Sequence, residues 1–302
     1  MTKLTNFLSE YQRPIHDPLE LDLALFSRLV ELPLTMATSE LALPALLPDF
    51  CATLLAQIQA KDYLTLPADR QLLEQIAHSN RYQKVTLEKL SPNNEHFLAI
   101  TLGVTKTLKV LAFRGPNGTL LSWRKDLHFA LTDPEALQTA AQAYLQRSLQ
   151  ADDRQIICVG FSRGAAIAAL ACDHLTTPAA QRIQQVLLFE SPGLPVGKYH
   201  FDVPVLELMA PLSVFSLVGI HPFPQRTVNS LNAGFGSMAL LHGPRTGRGV
   251  LQAPWESRPQ QVLINPPSSN SCLLALPKKT LIESLTFYSR YFEKLTTRRF
   301  QN

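Results

Sequence analysis

A serine between two glycines has the setting that most strongly indicates chemistry in this chain. Ser162 lies at the centre of Gly160-Phe161-Ser162-Arg163-Gly164. The apolar run 154–159 before it is typical of a buried strand, and the alanine-rich run 165–172 after it is typical of a helix that packs closely on a sheet. A serine on a tight turn between strand and helix exposes its hydroxyl above the sheet edge, where it can act as a nucleophile. We expect glycines on both sides, because a Cβ there would collide with the neighbouring strand or helix.

The serine needs a base, because its hydroxyl is a poor nucleophile until its proton is taken. With this strand–serine–helix arrangement the acid and then the histidine follow along the chain, which leaves the candidates His174, His200, His221 and His242. His174 ends the helix that leaves the serine, about 18 Å away at 1.5 Å per residue, and is excluded. His200 precedes the last core strand, at the wrong edge of the sheet. His221 stays open in a proline-rich loop, and His242, at a strand end that runs into a loop, is favoured.

Three carboxylates are candidates for the acid that orients the histidine. Glu190 ends the strand that follows the serine and its helix, at the carboxyl edge where such sheets place their sites. Glu207 lies inside the next strand, and Asp202 lies just before that strand. We predict that Glu190 orients the imidazole and stabilises its cation. Alternatively, Glu190 accepts backbone N–H bonds from the turn over residues 191–193.

Acyl transfer also needs donors for the oxyanion of the tetrahedral intermediate. The first expected donor is the backbone N–H of Arg163, directly after the serine. The second donor is expected from the loop after the 108–113 strand, and the candidates there are Gly115 and Asn117. Pro116 lies between them and has no N–H, so the second donor must be another backbone group or the Asn117 side chain.

Periodicity along the chain predicts the elements that position these residues. Residues 1–80 read as a helical N-terminal extension that packs on the core, with helices over 18–32, 46–60 and 67–77. Three strands joined by tight polar connections then predict an antiparallel start to a sheet: 85–87, 96–104 and 108–113. Strands alternating with helices from 135 to 209 predict a mostly parallel, doubly wound sheet, and 278–297 reads as a final helix. We therefore predict an α/β fold. Because the 160–164 motif between strand and helix resembles the nucleophile elbow of α/β-hydrolases, residues 81–302 are expected to form an α/β-hydrolase catalytic domain.

Composition narrows the class of protein. With 302 residues, 46% hydrophobic and 17% charged, the chain is typical of a soluble globular enzyme and not of a disordered protein. A net charge of +4 allows transient contact with an anionic membrane surface, and it is too small to argue for nucleic acid. Four cysteines without paired or metal-ligand spacing favour a reducing compartment. With no apolar leader or membrane span, we expect a cytoplasmic protein. We expect no metal and no cofactor. The oligomeric state stays open.

Several segments resemble the class 3 (fungal-type) lipases, and more closely a bacterial branch of lipase-like α/β-hydrolases called Mbeg-like. The matching segments are Phe113-Arg114-Gly115, Trp123 with Asp126, the 160–164 motif, Phe189-Glu190-Ser191-Pro192-Gly193, Pro211 and Ser213 with Val218-Gly219, and Leu241-His242-Gly243-Pro244. The resemblance covers roughly residues 20–255. It implies Ser162 as nucleophile and His242 as base, and it supports Glu190, where the branch has aspartate. The chain departs from that branch at Phe161, Pro116, Ala165 and Gly243.

Taken with the resemblance, the residues predict a serine hydrolase of lipase or esterase type. It would cleave small acyl or lipid esters through a Ser-His-acid triad and an acyl-enzyme intermediate. An alternative, suggested by Pro116 and the choice of acid, is a catalytically impaired α/β-hydrolase that acts as a ligand-binding or interaction module. A weaker third hypothesis is a phospholipase effector delivered to other cells, because the Gly-Phe-Ser-Arg-Gly motif resembles those of some secreted phospholipases.

Overall fold

The computed structural model describes residue 8 and residues 11–60, 67–91, 98–115, 135–209 and 219–227, together with the backbone of two short strands, 246–247 and 250–251. The helices are α1 Glu20–Leu29, α2 Leu47–Ala60, α3 Pro67–His78, α4 Glu135–Ala151, α5 Arg163–Ala171 and α6 Thr177–Ala180. The strands are β1 Ala45–Leu46, β2 Thr86–Leu90, β3 Leu98–Gly103, β4 Leu108–Arg114, β5 Gln155–Phe161, β6 Ile183–Phe189, β7 Val205–Met209, β8 Gln225–Thr227, β9 Thr246–Gly247 and β10 Val250–Leu251. Short 3₁₀ helices occupy Leu34–Met36 and Asn80–Tyr82.

Within the described part of the chain, eight strands form one sheet whose order follows the sequence from β1 to β8. Neighbours from β1 to β4 pair antiparallel, and neighbours from β4 to β8 pair parallel. The predicted α/β-hydrolase fold with an antiparallel start is confirmed. The predicted final helix, 278–297, lies outside the described residues.

The two faces of the sheet are covered by helices of different origin. Right-handed crossovers between strands in sequential order place their helices on one side, and α4, α5 and α6 share a buried cluster with the strand residues of that face. The other face packs against α1, α2 and α3, which precede the parallel part of the sheet. Apolar side chains on both faces explain why the central strands are continuously apolar. The division of the chain at residue 80 stays a prediction. The strand β1 lies before this position and pairs with β2, which lies after it.

The helix that leaves the serine is shorter than expected. It ends at Ala171, and its cap Cys172 has φ −97° and ψ 1°, outside helical geometry. His174, where the sequence suggested that the helix ends, has φ 53°. An L residue in that region cannot continue a right-handed helix, so the prediction of this boundary was wrong by three residues.

Three of the four cysteines fall within the described residues. Cys51, Cys158 and Cys172 are free and fully buried. The Sγ atoms of Cys158, on β5, and Cys172, directly after α5, lie 3.9 Å apart. Cys158 and Cys172 are therefore thiols of the core.

A buried carboxylate joins α1 to the start of the sheet. Asp22 is fully buried and accepts hydrogen bonds from Arg81 at Oδ1 and Oδ2, from the Tyr82 hydroxyl at 2.7 Å and from the Leu19 backbone N–H at 2.7 Å. Arg81 and Tyr82 belong to the 3₁₀ helix that leads into β2. Burial and the neighbouring Asp22 raise the pKa of Tyr82 well above its usual range. This cluster therefore helps to fix the helices of the N-terminal part against the sheet.

We expect Asp22→Asn to lower the free energy of unfolding by about 3 kcal/mol, because Arg81 would keep its charge in a buried site without a carboxylate. Urea denaturation followed by circular dichroism measures the change. Asp17→Asn is the matched control, since Asp17 is exposed and its substitution should stay within about 0.5 kcal/mol. Equal stability of the two variants would contradict this account of the cluster.

Candidate active site

Ser162 lies at a strained junction between β5 and α5. Its φ of 52° and ψ of −126° occupy a region that non-glycine residues rarely adopt. Its N–H donates to the Phe189 carbonyl of β6 at 2.8 Å, and its own carbonyl accepts from the Ala165 N–H at 2.9 Å. Ser162 is partly exposed at the carboxyl edge of the sheet. The neighbouring strand and the first turn of the helix thus hold a polar side chain at the place where this class of sheet carries its sites.

The two flanking glycines allow α5 to approach the sheet. A Cβ on Gly160 would lie 2.2 Å from the Gly164 carbonyl oxygen, and a Cβ on Gly164 would lie 2.2 Å from the Phe113 carbonyl oxygen of β4. Both contacts are with backbone atoms, which cannot move aside as a flexible side chain can. The expected reason for glycine at these two positions is confirmed.

Glu190 occupies the position on β6 that corresponds to Ser162 on β5. Phe161 pairs with Phe189, and each candidate residue directly follows its member of that pair. Glu190 is fully buried, has φ 51° and donates its N–H to the Leu208 carbonyl at 2.9 Å. Two adjacent strands therefore end in non-glycine residues with positive φ, and such strain tends to cluster at functional sites.

The turn after Glu190 bears on the alternative role of its carboxylate. Pro192 has no N–H, and the Gly193 N–H donates to the Ser191 hydroxyl at 3.1 Å. Two of the three residues of this turn therefore have no N–H to give to Glu190. This weakens the hypothesis that the carboxylate only binds the turn over residues 191–193.

The donors expected for an oxyanion lie at the start of α5 and the end of β4. Arg163 is the first residue of α5, so its N–H lies at the positive end of the helix dipole. Gly115 directly follows β4, and a Cβ on it would lie 2.9 Å from Arg163 Cδ. The backbone at Gly115 thus lies against the Arg163 side chain. Asn117 and Pro116 lie outside the described residues.

The candidate histidines fall into three groups. His242, the favoured base, lies outside the described residues. His174 and His200 lie together with ring centroids 5.9 Å apart, and His200 contacts Asp202 at 3.1 Å. His174 lies beyond the far end of α5, about 14 Å of helix from the serine. His221 is largely buried, and its Nδ1 lies 2.9 Å from Glu207 Oε2.

The pairing of Glu207 with His221 is a feature that the sequence did not reveal. Glu207 is fully buried in β7, and its Oε2 also accepts a hydrogen bond from Gln225 Nε2 at 2.8 Å. A carboxylate inside an apolar strand needs polar partners, and this signal could have directed attention to the two side chains. Glu207 pairs with Leu188, and Leu188 with Gly160, so Glu207 lies two residues deeper than Ser162 and two strands away. Strand spacings of ~4.8 Å and rises of ~3.3 Å per residue separate the two Cα atoms by about 12 Å.

Within the described ranges, no group of His, Cys, Asp or Glu side chains is arranged to hold a metal ion. No helix among the same residues is long and apolar enough to cross a bilayer.

Comparison with known protein families gives a match to the central part of this chain. Residues 76–201 match the family model described as Mbeg1-like. The predicted resemblance to this lipase-like family is confirmed. The matched segment includes β2 to β6, α5, Ser162 and Glu190. No curated relative matches the chain.

Several solved structures of fungal lipases show a distant likeness to this chain. A variant of MDLA from Penicillium cyclopium has a TM-score of 0.39 at 13% identity, over 69% of this chain and 78% of that one. A lipase from Rhizopus microsporus var. chinensis has a TM-score of 0.38 at 16% identity, over 72% and 80%. The Rhizomucor miehei lipase in complex with its propeptide has a TM-score of 0.36 at 11% identity, over 76% and 81%. These likenesses are distant, so the chemistry of the site depends on the residues of this chain.

We expect Gly164→Ala to destabilise the protein by about 3 kcal/mol or to prevent its folding, because the new methyl group would overlap the Phe113 carbonyl of β4. Thermal unfolding and the yield of folded protein measure the effect. Gly197→Ala is the matched control, since the atoms nearest to its Cβ belong to the Tyr199 side chain, with the hydroxyl 3.0 Å away, and a side chain can move aside. A Gly164→Ala protein as stable as the control would show that α5 and β4 lie too far apart for a Gly164 Cβ to overlap the Phe113 carbonyl.

Proposed function

We propose that this protein is a serine hydrolase that cleaves carboxylic esters, with Ser162 as the nucleophile. The observation that carries the proposal is the positive φ of Ser162 between β5 and α5, with glycines at both close contacts. Strain of this kind is maintained only where the surroundings enforce it. Here the two backbone hydrogen bonds of Ser162 and the close backbone contacts at Gly160 and Gly164 enforce the strained conformation. That conformation presents the serine hydroxyl at the carboxyl edge of the sheet.

In the proposed mechanism His242 is the base and Glu190 the acid. The imidazole takes the proton of the Ser162 hydroxyl as its oxygen attacks the ester carbonyl, and it then gives that proton to the leaving alcohol. Water, activated by the same imidazole, attacks the acyl-enzyme and releases the carboxylic acid and the free serine. Glu190 would orient the imidazole and stabilise its cation. Support for Glu190 comes from the register of β5 and β6, which puts it level with Ser162.

The proposed oxyanion site combines the Arg163 N–H with a second donor near Gly115 or Asn117. The Arg163 N–H lies in the first turn of α5, where the helix dipole favours a developing negative charge. Support for the Gly115 side comes from the close packing of its backbone on Arg163, which keeps the end of β4 beside the start of α5.

The proposed substrate is a small acyl or lipid ester. We also propose transient contact with an anionic membrane surface, in keeping with the net charge of +4. A cytoplasmic location is part of the proposal, supported by the free buried thiols of Cys51, Cys158 and Cys172. No cofactor is needed for this chemistry.

A catalytically impaired α/β-hydrolase is the second candidate, favoured by Pro116, which removes one N–H from the loop after β4. Such a protein would bind a ligand or a partner at the same edge of the sheet without turnover. Hydrolysis of a p-nitrophenyl ester that disappears in both Ser162→Ala and His242→Ala eliminates this candidate.

We expect a fluorophosphonate probe to label the wild-type protein and to leave Ser162→Ala unlabelled, because the probe reacts only with an activated serine. Intact-protein mass spectrometry detects the adduct. Ser39→Ala is the control, since Ser39 is exposed and bonded to the Met36 carbonyl, and it should label as fast as the wild type. Labelling that survives in Ser162→Ala would reject Ser162 as the nucleophile.

We expect His242→Ala to lower ester turnover by about 10³-fold or more, and Glu190→Gln by about 10³-fold to 10⁴-fold, since a triad loses most of its rate with either member. Initial rates with a p-nitrophenyl ester measure kcat and KM. The exposed Glu74→Gln is the control and should leave both constants unchanged. Full activity in Glu190→Gln would show that another carboxylate serves as the acid.

A further inference from the structure

The carboxylate of Glu207 organises the segment that returns to β8. It is fully buried within β7. Its Oε2 accepts a hydrogen bond from Gln225 Nε2 at 2.8 Å, and the same oxygen lies 2.9 Å from His221 Nδ1. Its Oε1 is also buried and has no hydrogen-bond partner among the described residues. A buried carboxylate is costly without such partners, so it selects the conformation of residues 219–225 that supplies them.

That segment packs against the turn that follows Glu190. Ile220 and Leu194 exchange two backbone hydrogen bonds, at 2.8 and 2.7 Å. Gly193 has φ 76°, and a Cβ on it would lie 2.9 Å from His221 Nε2 and 2.8 Å from the Ile220 carbonyl oxygen. Gly219, with φ 46°, would place a Cβ 2.6 Å from the Pro192 carbonyl oxygen. The two glycines let the backbones interlock, with the His221 ring against the turn.

We infer that His221 is a positioning residue that, held by Glu207, fixes the turn after Glu190 and so the placement of the proposed acid. The inference rests on the proposed function and adds a second histidine–carboxylate pair to it. The path is short: Glu207 binds His221, His221 contacts Gly193, and Gly193 lies three residues after Glu190. Catalytic geometry tolerates little displacement, because a shift of about 1 Å can cost ~100-fold in rate.

The depth of Glu207 in the sheet favours this role over direct proton transfer by His221. Glu207 lies level with Gly160, whereas Glu190 lies level with Ser162. In a triad with Glu207 as the acid, the carboxylate would lie on β7, two strands away from Ser162, and two residues below the carboxyl edge of the sheet. The pair is better placed to support the carboxyl edge than to react at it.

The experiment compares rates of fluorophosphonate labelling at Ser162 in His221→Leu, His221→Asn and the wild type. We expect a reduction of about 10-fold to 100-fold in His221→Leu, which cannot bind Glu207. His221→Asn should recover most of the rate, because its amide can donate to the carboxylate from near the Nδ1 position. Turnover of a p-nitrophenyl ester should show the loss in kcat and not in KM. His200→Leu is the matched control, since His200 is exposed and pairs with Asp202.

Circular dichroism and the melting temperature establish that each variant is folded at the temperature of labelling. If His221→Leu does not fold, Glu207→Gln replaces it, with an expected loss of about 10-fold. A lowered melting temperature with an unchanged labelling rate overturns the inference, because the pair would then only stabilise the fold. Loss in both His221 variants as complete as in Ser162→Ala also overturns it, since His221 would then be the base. Absence of labelling in the wild type removes the proposed function and this inference together.

Discussion

The backbone of α5 approaches β4 and β5 so closely that no side chain fits between them at Gly160 or Gly164. A carbonyl oxygen of each partner fills the space that a methyl group would need. The chain must therefore reverse direction within one residue at the end of β5, and Ser162 adopts its positive φ as a result. Proximity of helix and sheet is thus the constraint from which the partly exposed serine, the position of the Arg163 N–H at the start of α5 and the contact with Gly115 all follow.

The order of the strands explains why the N-terminal helices are required. Parallel strands in sequential order, joined by right-handed crossovers, leave one face of the sheet without helices of its own. That face consists of apolar residues such as Ile157, Val159 and Phe189, and α1 to α3 bury it. The Asp22 cluster then fixes the direction in which the chain enters β2. The N-terminal helices thus belong to the core of the fold, and they complete the sheet that carries Ser162.

Local patterns in the sequence were sufficient to predict the elements around the serine. The apolar run before Ser162 and the small residues after it predict strand and helix, because both patterns depend only on neighbouring residues. Glu190 could be predicted for the same reason, as the residue that ends an apolar strand. The exact end of α5 could not, since the backbone of His174 turns out of the helix where no glycine or proline marks the change.

The pairing of Glu207 with His221 lay beyond sequence reasoning for a different reason. It joins residues 14 positions apart across a change of direction, and its partner Gln225 is 18 positions away. Only the placement of β8 beside β7 brings these side chains together. Polar contacts that depend on tertiary structure have no periodicity, whereas buried strands and amphipathic helices do.

The thiols of Cys158 and Cys172 can report on local opening of β5 and α5, the two elements that flank Ser162. Both lie at full burial, one on β5 and one at the end of α5, and the hydrogen bond to Cys158 together with burial holds the pKa of the Cys172 thiol well above its usual range. An alkylating reagent needs an accessible thiolate, so it can react there only when strand and helix separate. The speed of alkylation in the native protein would therefore report how often this part of the molecule opens, without any engineered label.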